Sequence, residues 1–423
     1  MTIDEPSVLI MSGVQGDPRR YRTFHLYEQA RLAGLNCQLS HVTDHELRKK
    51  VQGSSIVILH RAPFDTQVAW IEREVHHNGG ILIEDLDDLI FDPEAVKYIH
   101  SSDFSDPVRR SLYQEDIRLY RKTLDICDYV ITSTEYLADR VRQLGKPAKV
   151  HRNAFSLEML ACSKQAYLSK KIDPDKIVIG YASGTPTHDQ DLTLIKPALQ
   201  SIISRYPKVE VWLVGPLDSG KDWCGFENQI KKYKLVPWRK LPEIQVQFDI
   251  NLAPLQLGNP FGQSKSEIKY MEAALLRVPT IASPSGSYKV AISEGQNGYL
   301  ANDVQEWERC LKILIEQPSV MNDIGDKAYQ DVLNRYHPLI RARQLSDTLN
   351  SIIGNKFKLQ SYDLNNNVTY EVKSQSYWSS AELERSPTHF QRGLYTVRNR
   401  NLYTLLKQIW IYFRRMVSPL FPY

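Results

Sequence analysis

Lys265, Ser266, Lys269 and Glu272 fall within one eight-residue stretch, LysSerGluIleLysTyrMetGlu, that follows the Gly- and Pro-containing loop LeuGlyAsnProPheGly. Read as a helix starting near Lys265, the stretch brings two ammonium groups, a hydroxyl and unpaired backbone N–H groups to one end. That end carries the positive pole of the helix dipole and suits a diphosphate. Glu272 lies about two turns further on, where a carboxylate can accept hydrogen bonds from ribose hydroxyls. The same spacing also fits solvent-exposed pairs between Lys and Glu on a surface helix, and the segment alone leaves both readings open.

A second concentration of chemistry is Glu84-Asp85-Leu86-Asp87-Asp88, which follows an apolar run. Asp85 and Asp87 form an Asp-x-Asp pair, a hard carboxylate donor set for Mg²⁺ or Mn²⁺ against a diphosphate. A solvated acidic loop is the alternative. His60-Arg61 ends an earlier apolar run, and Gly13 to Arg22 (GVQGDPRRYR) is a loop leading into a helix. There Gly16 would let backbone approach a ligand while Arg19, Arg20 or Arg22 meets a phosphate or an anionic acceptor; a capped, solvated basic turn is the alternative. Ser183-Gly184-Thr185 offers backbone and hydroxyl donors to a phosphate. Trp238 is read either as a base contact or as packing beside Pro237. His25, His41, His76 and His77 have no metal-ligand spacing, and no metal ligands are assigned.

These groups need elements to position them, and the chain supplies two similar sets. Apolar runs Ser7–Met11, Ser55–Leu59, Ile81–Ile83, Tyr129–Ser133 and Lys149–Asn153 alternate with amphipathic stretches, among them a helix over Tyr21–Ala33. This is the signal of βα units and a parallel sheet. The pattern restarts after Asp173 with Lys176–Gly184, Val209–Gly215, Phe248–Leu255 and Pro279–Ser283. The expectation is an α/β protein with two Rossmann-like domains facing a cleft, 1–165 and 166–354, followed by a linker over 355–393 and a basic amphipathic tail helix over 394–423. Ligands in such sheets bind beyond the carboxyl ends of the strands.

At 423 residues, 42% hydrophobic and 24% charged, the chain exceeds one core and excludes collagen, a wholly disordered chain and a polytopic membrane protein. The five cysteines show no CxxC spacing, and the acidic start MTIDEP lacks the basic region of a secretory signal; a cytoplasmic protein is expected. The formal net charge of +4 is too small to suggest a nucleic-acid partner. It is unevenly placed: residues 391–423 hold six basic groups and no acid, which leaves 47 basic and 49 acidic groups before them.

The strand, loop, helix and strand ending in EAALLRVPTIAS (Glu272–Ser283) resemble the nucleotide-sugar segment of bacterial GT-B glycosyltransferases of the retaining family 4, group 1 type. IGYASGTPTHDQDL, ISEGQNGY, RYRTFHLYEQARLAG, GGILIEDLDDLIFDP and VITSTEYLADRV are similar to further family segments, so the likeness spans about residues 5–350. It implies transfer of a sugar from a nucleotide-diphosphate donor to a hydroxyl of a glycan or lipid-linked acceptor, with retention and with no cofactor. It further implies donor contacts from Ser183, Gly184, Thr185, Lys265, Ser266, Lys269 and Glu272. On the acceptor side it leaves Asp85, Asp87, Asp88 and His60 as candidates to face the anomeric centre, and Gly16, Arg19, Arg22 and Arg61 as acceptor or phosphate contacts. Two departures stand out. Where the family carries Glu-x7-Glu, the first position here is Ser264, with Glu267 out of helical phase. Where many members place a catalytic His at a strand exit, this chain has the 84–88 acids. A metal-dependent transferase using Asp85 and Asp87, an inactive glycosyltransferase-like binding subunit and a nucleotide-sugar epimerase are the rival readings.

In the tail, Leu402–Val417 places apolar residues at helical spacing with Lys407, Arg414 and Arg415 largely opposite. Such a helix either lies in a membrane interface, on the inner face of the membrane, or docks on the body.

Overall fold

The computed structural model describes residues 7–98, 106–171, 173–185, 189–217, 223, 225–354 and 389–417. The linker expected over 355–393 lies outside the described residues up to 388, as does the end of the tail beyond 417.

Two six-stranded parallel sheets form the frame. The first contains β1 (Val8–Ser12), β2 (Cys37–His41), β3 (Ile56–His60), β4 (Ile81–Leu86), β5 (Tyr129–Thr132) and β6 (Ala148–Val150) in the order β2-β1-β3-β4-β5-β6. The second contains β7 (Ile177–Ala182), β8 (Val209–Val214), β9 (Ile230–Tyr233), β10 (Ile250–Ala253), β11 (Thr280–Ala282) and β12 (Tyr299–Leu300) in the order β12-β11-β10-β7-β8-β9. Helices cover both faces, which is why strands such as Val8-Leu9-Ile10-Met11 read as unbroken apolar runs. Each order reverses direction once, between β1 and β3 and between β7 and β10, the kind of position at which open α/β sheets bind ligands.

The acidic loop expected after Ile83 is a strand in its first part. β4 runs on through Glu84 and Asp85, pairing Asp85 with His60 of β3 and with Ile131 of β5, and both acids are fully buried. The helix expected over Tyr21–Ala33 is also divided. A turn at Asp17–Arg19 leads into a π-helical turn, Arg20–Phe24, and the α-helix proper is His25–Leu32. After β6 the segment read as strand to Asn153 is the irregular crossing to the second half.

Both expected domain limits shift. The helix Leu157–Leu168 contributes Met159 and Leu160 to a core with Tyr270, Met271 and Tyr336, so it belongs to the second half. The helix Pro338–Ile353 returns to the first: Ala342, Leu345, Leu349 and Ile352 pack with Ile10, Leu26, Ala30 and Ile58. Periodicity shows that a helix has an apolar face, not which core will cover it.

The tail forms two helices, His389–Asn399 and Leu402–Val417, with Asn401 capping the second through Thr404 N at 2.7 Å. They dock on the first half: Tyr395 donates to Asp65, Thr66 Oγ1 lies 3.1 Å from Asn399 Oδ1, and Arg400 Nη1 reaches Asp116 Oδ1 at 2.9 Å.

Buried polar contacts hold the crossing segment. His25 Nδ1 donates to Ala154 O at 2.8 Å, and His151 Nε2 lies 2.6 Å from Gln29 Oε1. Burial, with repulsion from Arg20, pushes His25 from 6.5 to about 3. The unfolded chain therefore takes up a proton below pH 6.5 that the folded chain refuses, so the His25 contribution is lost as pH falls from 6.5 towards 3. His25→Asn, which keeps a donor for Ala154 but does not titrate, will be less stable than wild type at pH 7.5. Its deficit in denaturant unfolding will shrink by up to about 1.4 kcal/mol per pH unit below 6.5. A deficit that stays constant from pH 7.5 to 5 would contradict this.

Candidate active site

The carboxyl ends of β1, β3 and β4 face those of β7 and β10 across a cleft that encloses a cavity of about 520 Å³. On the first-half side, the turn after β1 passes so close to β3 that a Cβ on Gly13 would lie 2.3 Å from Arg61 O, and only glycine fits. Gly16, at φ 77°, then starts the turn into the π-helical residues. π-Turns often occur at functional sites. Here Arg20 and Tyr21 line the cleft, whereas Arg22 is buried beneath it.

Arg22 is coordinated on all sides. Its Nε lies 3.1 Å from both oxygens of Asp85, Nη2 is 2.5 Å from Asp85 Oδ1, and Nη1 donates to His151 O at 2.8 Å and Asn153 Oδ1 at 3.1 Å. Burial raises the Asp85 carboxyl although Arg22 pulls it down. Asp87, further along, accepts from Arg61 Nε at 2.6 Å and lies 3.3 Å from His60 Nε2. Burial alone would raise Asp87, but Arg61 and His60 hold it well below the usual carboxylate range. Asp88 reaches across the cleft to Lys265 Nζ at 2.9 Å, with Arg61 Nη2 at 3.5 Å; against burial, these two cations lower its carboxyl too. Arg61 bridges the two aspartates from a left-handed backbone, φ 45°, that a non-glycine residue adopts only where its surroundings impose it.

On the second-half side, Ser183 at the end of β7 turns the chain, its Oγ 2.9 Å from Thr185 O, and leaves Gly184 and Thr185 exposed to the cleft. The helix expected to begin near Lys265 is two pieces, Pro260–Ser264 and Ile268–Ala274, with Lys265 and Ser266 in the link. Ser266 Oγ accepts from Asn153 Nδ2 at 2.8 Å. Lys269 donates to Ala182 O with its ammonium 5.0 Å from the Tyr181 ring centroid, and burial lowers its pKa. Glu272 accepts from Tyr21 Oη at 2.6 Å and has Arg20 Nη2 at 3.8 Å; burial raises its carboxyl, and Arg20 and Tyr21 partly offset this.

The cleft thus gathers Arg61, Asp87, Asp88, Ser183, Gly184, Thr185, Lys265, Ser266, Lys269 and Glu272. It does not gather the other candidates. His60 is buried behind Asp87, with Nδ1 3.3 Å from Ser12 Oγ, and Asp85 and Arg22 satisfy each other beneath the floor. Arg19 turns away to Gln15 Oε1 at 3.1 Å and to the Phe24 ring. Of the three arginines in the turn, Arg20 is the one that faces the cleft, a choice set by the π-turn and invisible in the spacing. Trp238 packs against the core that holds Tyr21 and Tyr270, as one of its two readings has it, and it also lines the cavity with the Arg20 guanidinium 4.8 Å from its ring centroid. Tyr21, read only as the start of a helix, is a cleft residue.

The Glu-x7-Glu departure also takes shape. Glu267 is buried, accepting from Tyr336 Oη at 2.7 Å, and points away from the cleft. Ser264 Oγ lies 3.3 Å from Asp88 Oδ1, so the carboxylate nearest that position comes from the opposite half. The Asp-x-Asp pair does not fit a metal: Asp85 is buried against Arg22 while Asp87 faces the cleft, and the two do not converge. Among the described residues, no group of three or more His, Cys, Asp or Glu side chains is placed to hold a metal ion.

Residues 176–317 match the family described as Glycosyl transferases group 1. No curated protein matches the sequence. Solved structures share the fold at low identity. HepE of Anabaena in complex with UDP-glucose has a TM-score of 0.56 and 16% identity over 82% of this chain and 99% of its own. Sucrose-phosphate synthase of Thermosynechococcus elongatus gives 0.55 and 14% over 82% and 99%. A glycosyltransferase of Rickettsia africae gives 0.55 and 13% over 83% and 100%. Two parallel sheets closing on one cleft give the chain the GT-B fold of these structures, and residues 176–317 of its second half carry a segment that matches the group 1 glycosyltransferase family.

Proposed function

We propose that the cleft moves a sugar from a nucleoside-diphosphate donor to a hydroxyl of a glycan or lipid-linked acceptor, with retention of configuration and without a metal, as a step of polysaccharide biosynthesis. The observation that carries this reading is the convergence of Glu272, Lys265, Lys269 and the Ser183–Thr185 turn on one cavity opposite Asp87, Asp88 and Arg61. Glu272 suits a ribose, and the lysines and the turn suit a diphosphate. The complexes of HepE with UDP and UDP-glucose favour a uridine donor. As the donor bond breaks, negative charge grows on the bridging oxygen, and cations and N–H groups already aimed there stabilise it without reorganising. Lys265 becomes available for this when Asp88 yields to phosphate. Asp87, anionic at neutral pH, orients the acceptor hydroxyl or offsets positive charge at the sugar. Arg22, Asp85 and His60 act by positioning. Retention rests on the family resemblance, and metal independence on the cations that already face the acidic groups.

The tail supports a place on the inner face of a membrane. Its inner side is docked, and its outer side exposes Leu394, Val397, Leu402, Tyr403, Leu406, Ile409 and Trp410, with Arg398 also exposed and Lys407 over the Tyr403 ring at 4.5 Å. Among the described residues no helix is long and apolar enough to cross a membrane. Aromatic and aliphatic groups beside cations suit an anionic interface, each cation adding about 1 kcal/mol.

Calorimetric titration with UDP, GDP and ADP tests the donor. UDP is expected to bind, and Glu272→Gln to weaken it about tenfold or more, the worth of hydrogen bonds to a charged group, with the circular dichroism spectrum unchanged. Wild-type affinity and turnover in Glu272→Gln would overturn the site. For the tail, flotation with phosphatidylglycerol-containing vesicles should carry the wild-type chain upward and leave the Leu406→Asp, Trp410→Asp double variant behind. Equal flotation of the two would remove the membrane from the proposal.

A further inference from the structure

The donor-facing groups of the second half already have partners from the first. Glu272 accepts from the Tyr21 hydroxyl at 2.6 Å, Ser266 from the Asn153 amide at 2.8 Å, and Lys265 holds Asp88 at 2.9 Å. The Trp238 ring is covered by the Arg20 guanidinium, which also lies 4.3 Å from the Tyr21 ring centroid. These are the kinds of group a nucleoside diphosphate brings: a hydroxyl for the carboxylate, an anionic oxygen for the lysine, a flat face for the indole. Tyr21 and Arg20 are only 4% and 5% exposed, so they fill the site rather than fringe it. Both stand in the π-turn Arg20–Phe24, an irregular segment whose register can change by one residue as it reverts to an α-turn.

We propose that this turn is a donor-site latch: Tyr21 and Arg20 hold Glu272 and Trp238, and a nucleoside diphosphate enters by exchange with them. The proposal rests on the reading of Glu272 as the ribose ligand. Arg20 does not lose all its partners on exchange, since Asp17 accepts from its Nε at 3.0 Å and lies 3.0 Å from Nη2. The Tyr21 hydroxyl does give up its carboxylate, and the donor must compete for it. A site that must first be vacated binds its ligand with an affinity reduced by the fraction of molecules already open.

Tyr21→Phe deletes the competing hydroxyl and keeps the ring. In full-length protein, with melting temperature as a folding control, this variant is expected to bind UDP at least about tenfold more tightly, the worth of one hydrogen bond to a charged group. Intrinsic tryptophan fluorescence in stopped flow should show faster entry, with a change that is lost in Trp238→Phe. Placed in a Glu272→Gln background, the same substitution should give a much smaller gain, because the neutral amide competes weakly for the hydroxyl. UDP affinity in Tyr21→Phe that is unchanged or weaker, with Glu272→Gln still impaired, overturns the latch and leaves the ribose assignment standing. UDP affinity unaltered in Glu272→Gln overturns the assignment, and the latch falls with it.

Discussion

A guanidinium taken out of water must be met by oxygen on every donor, and the cleft is built around one such group. Arg22 is 1% exposed and Asp85 0%. A buried pair of this kind stabilises only when its remaining donors are also satisfied. Those oxygens come from Asp85 on β4 and from His151 and Asn153 in the crossing segment. Asn153 passes the connection on, donating to Ser266 between Lys265 and Lys269. One desolvated cation thereby sets the end of a strand, the path between the two halves and the position of the loop at Lys265 and Ser266.

Above that floor the cleft alternates charge: Arg20 with Glu272, Arg61 with Asp87 and Asp88, Asp88 with Lys265. On the proposed reading, a diphosphate meets these cations only by taking the place of carboxylates, and an acceptor meets Asp87 already stripped of its proton. Such a site exchanges internal pairs for substrate pairs, which keeps unpaired charge out of the low-dielectric cleft. The helix Pro338–Ile353, crossing back to pack on the first sheet, ties the second half to this arrangement at a second point.

Much of this was legible in the residues. The apolar runs and their polar punctuation mark two parallel sheets, and Lys265, Lys269 and Glu272 stand out by chemical type beside a turn-rich loop. Other features were not. Glu84 and Asp85 read as lying beyond the strand Ile81–Ile83, in a functional or a solvated loop, because charge normally ends a strand; sheet pairing on both sides and the Arg22 contact bury Asp85 instead. Arg19, Arg20 and Arg22 are interchangeable in the one-dimensional pattern. The turn Asp17–Arg19 directs the first to Gln15, and the π-turn that follows, which no residue type announces, sends Arg20 to the cleft and Arg22 to the core.

The chain's own order of residues therefore determines what depends on neighbours a few positions away: strand periodicity, turn chemistry, the donor-side cluster and the basic, aromatic tail. The folded molecule decides what depends on groups hundreds of positions apart. Asp88 meets Lys265, Tyr21 meets Glu272, and the last helix of the body joins the first core rather than the second. Hydrophobic burial is non-directional and ion pairing requires only opposite charge, so neither names its partner in advance. Closure of the two sheets on each other brings those groups within reach.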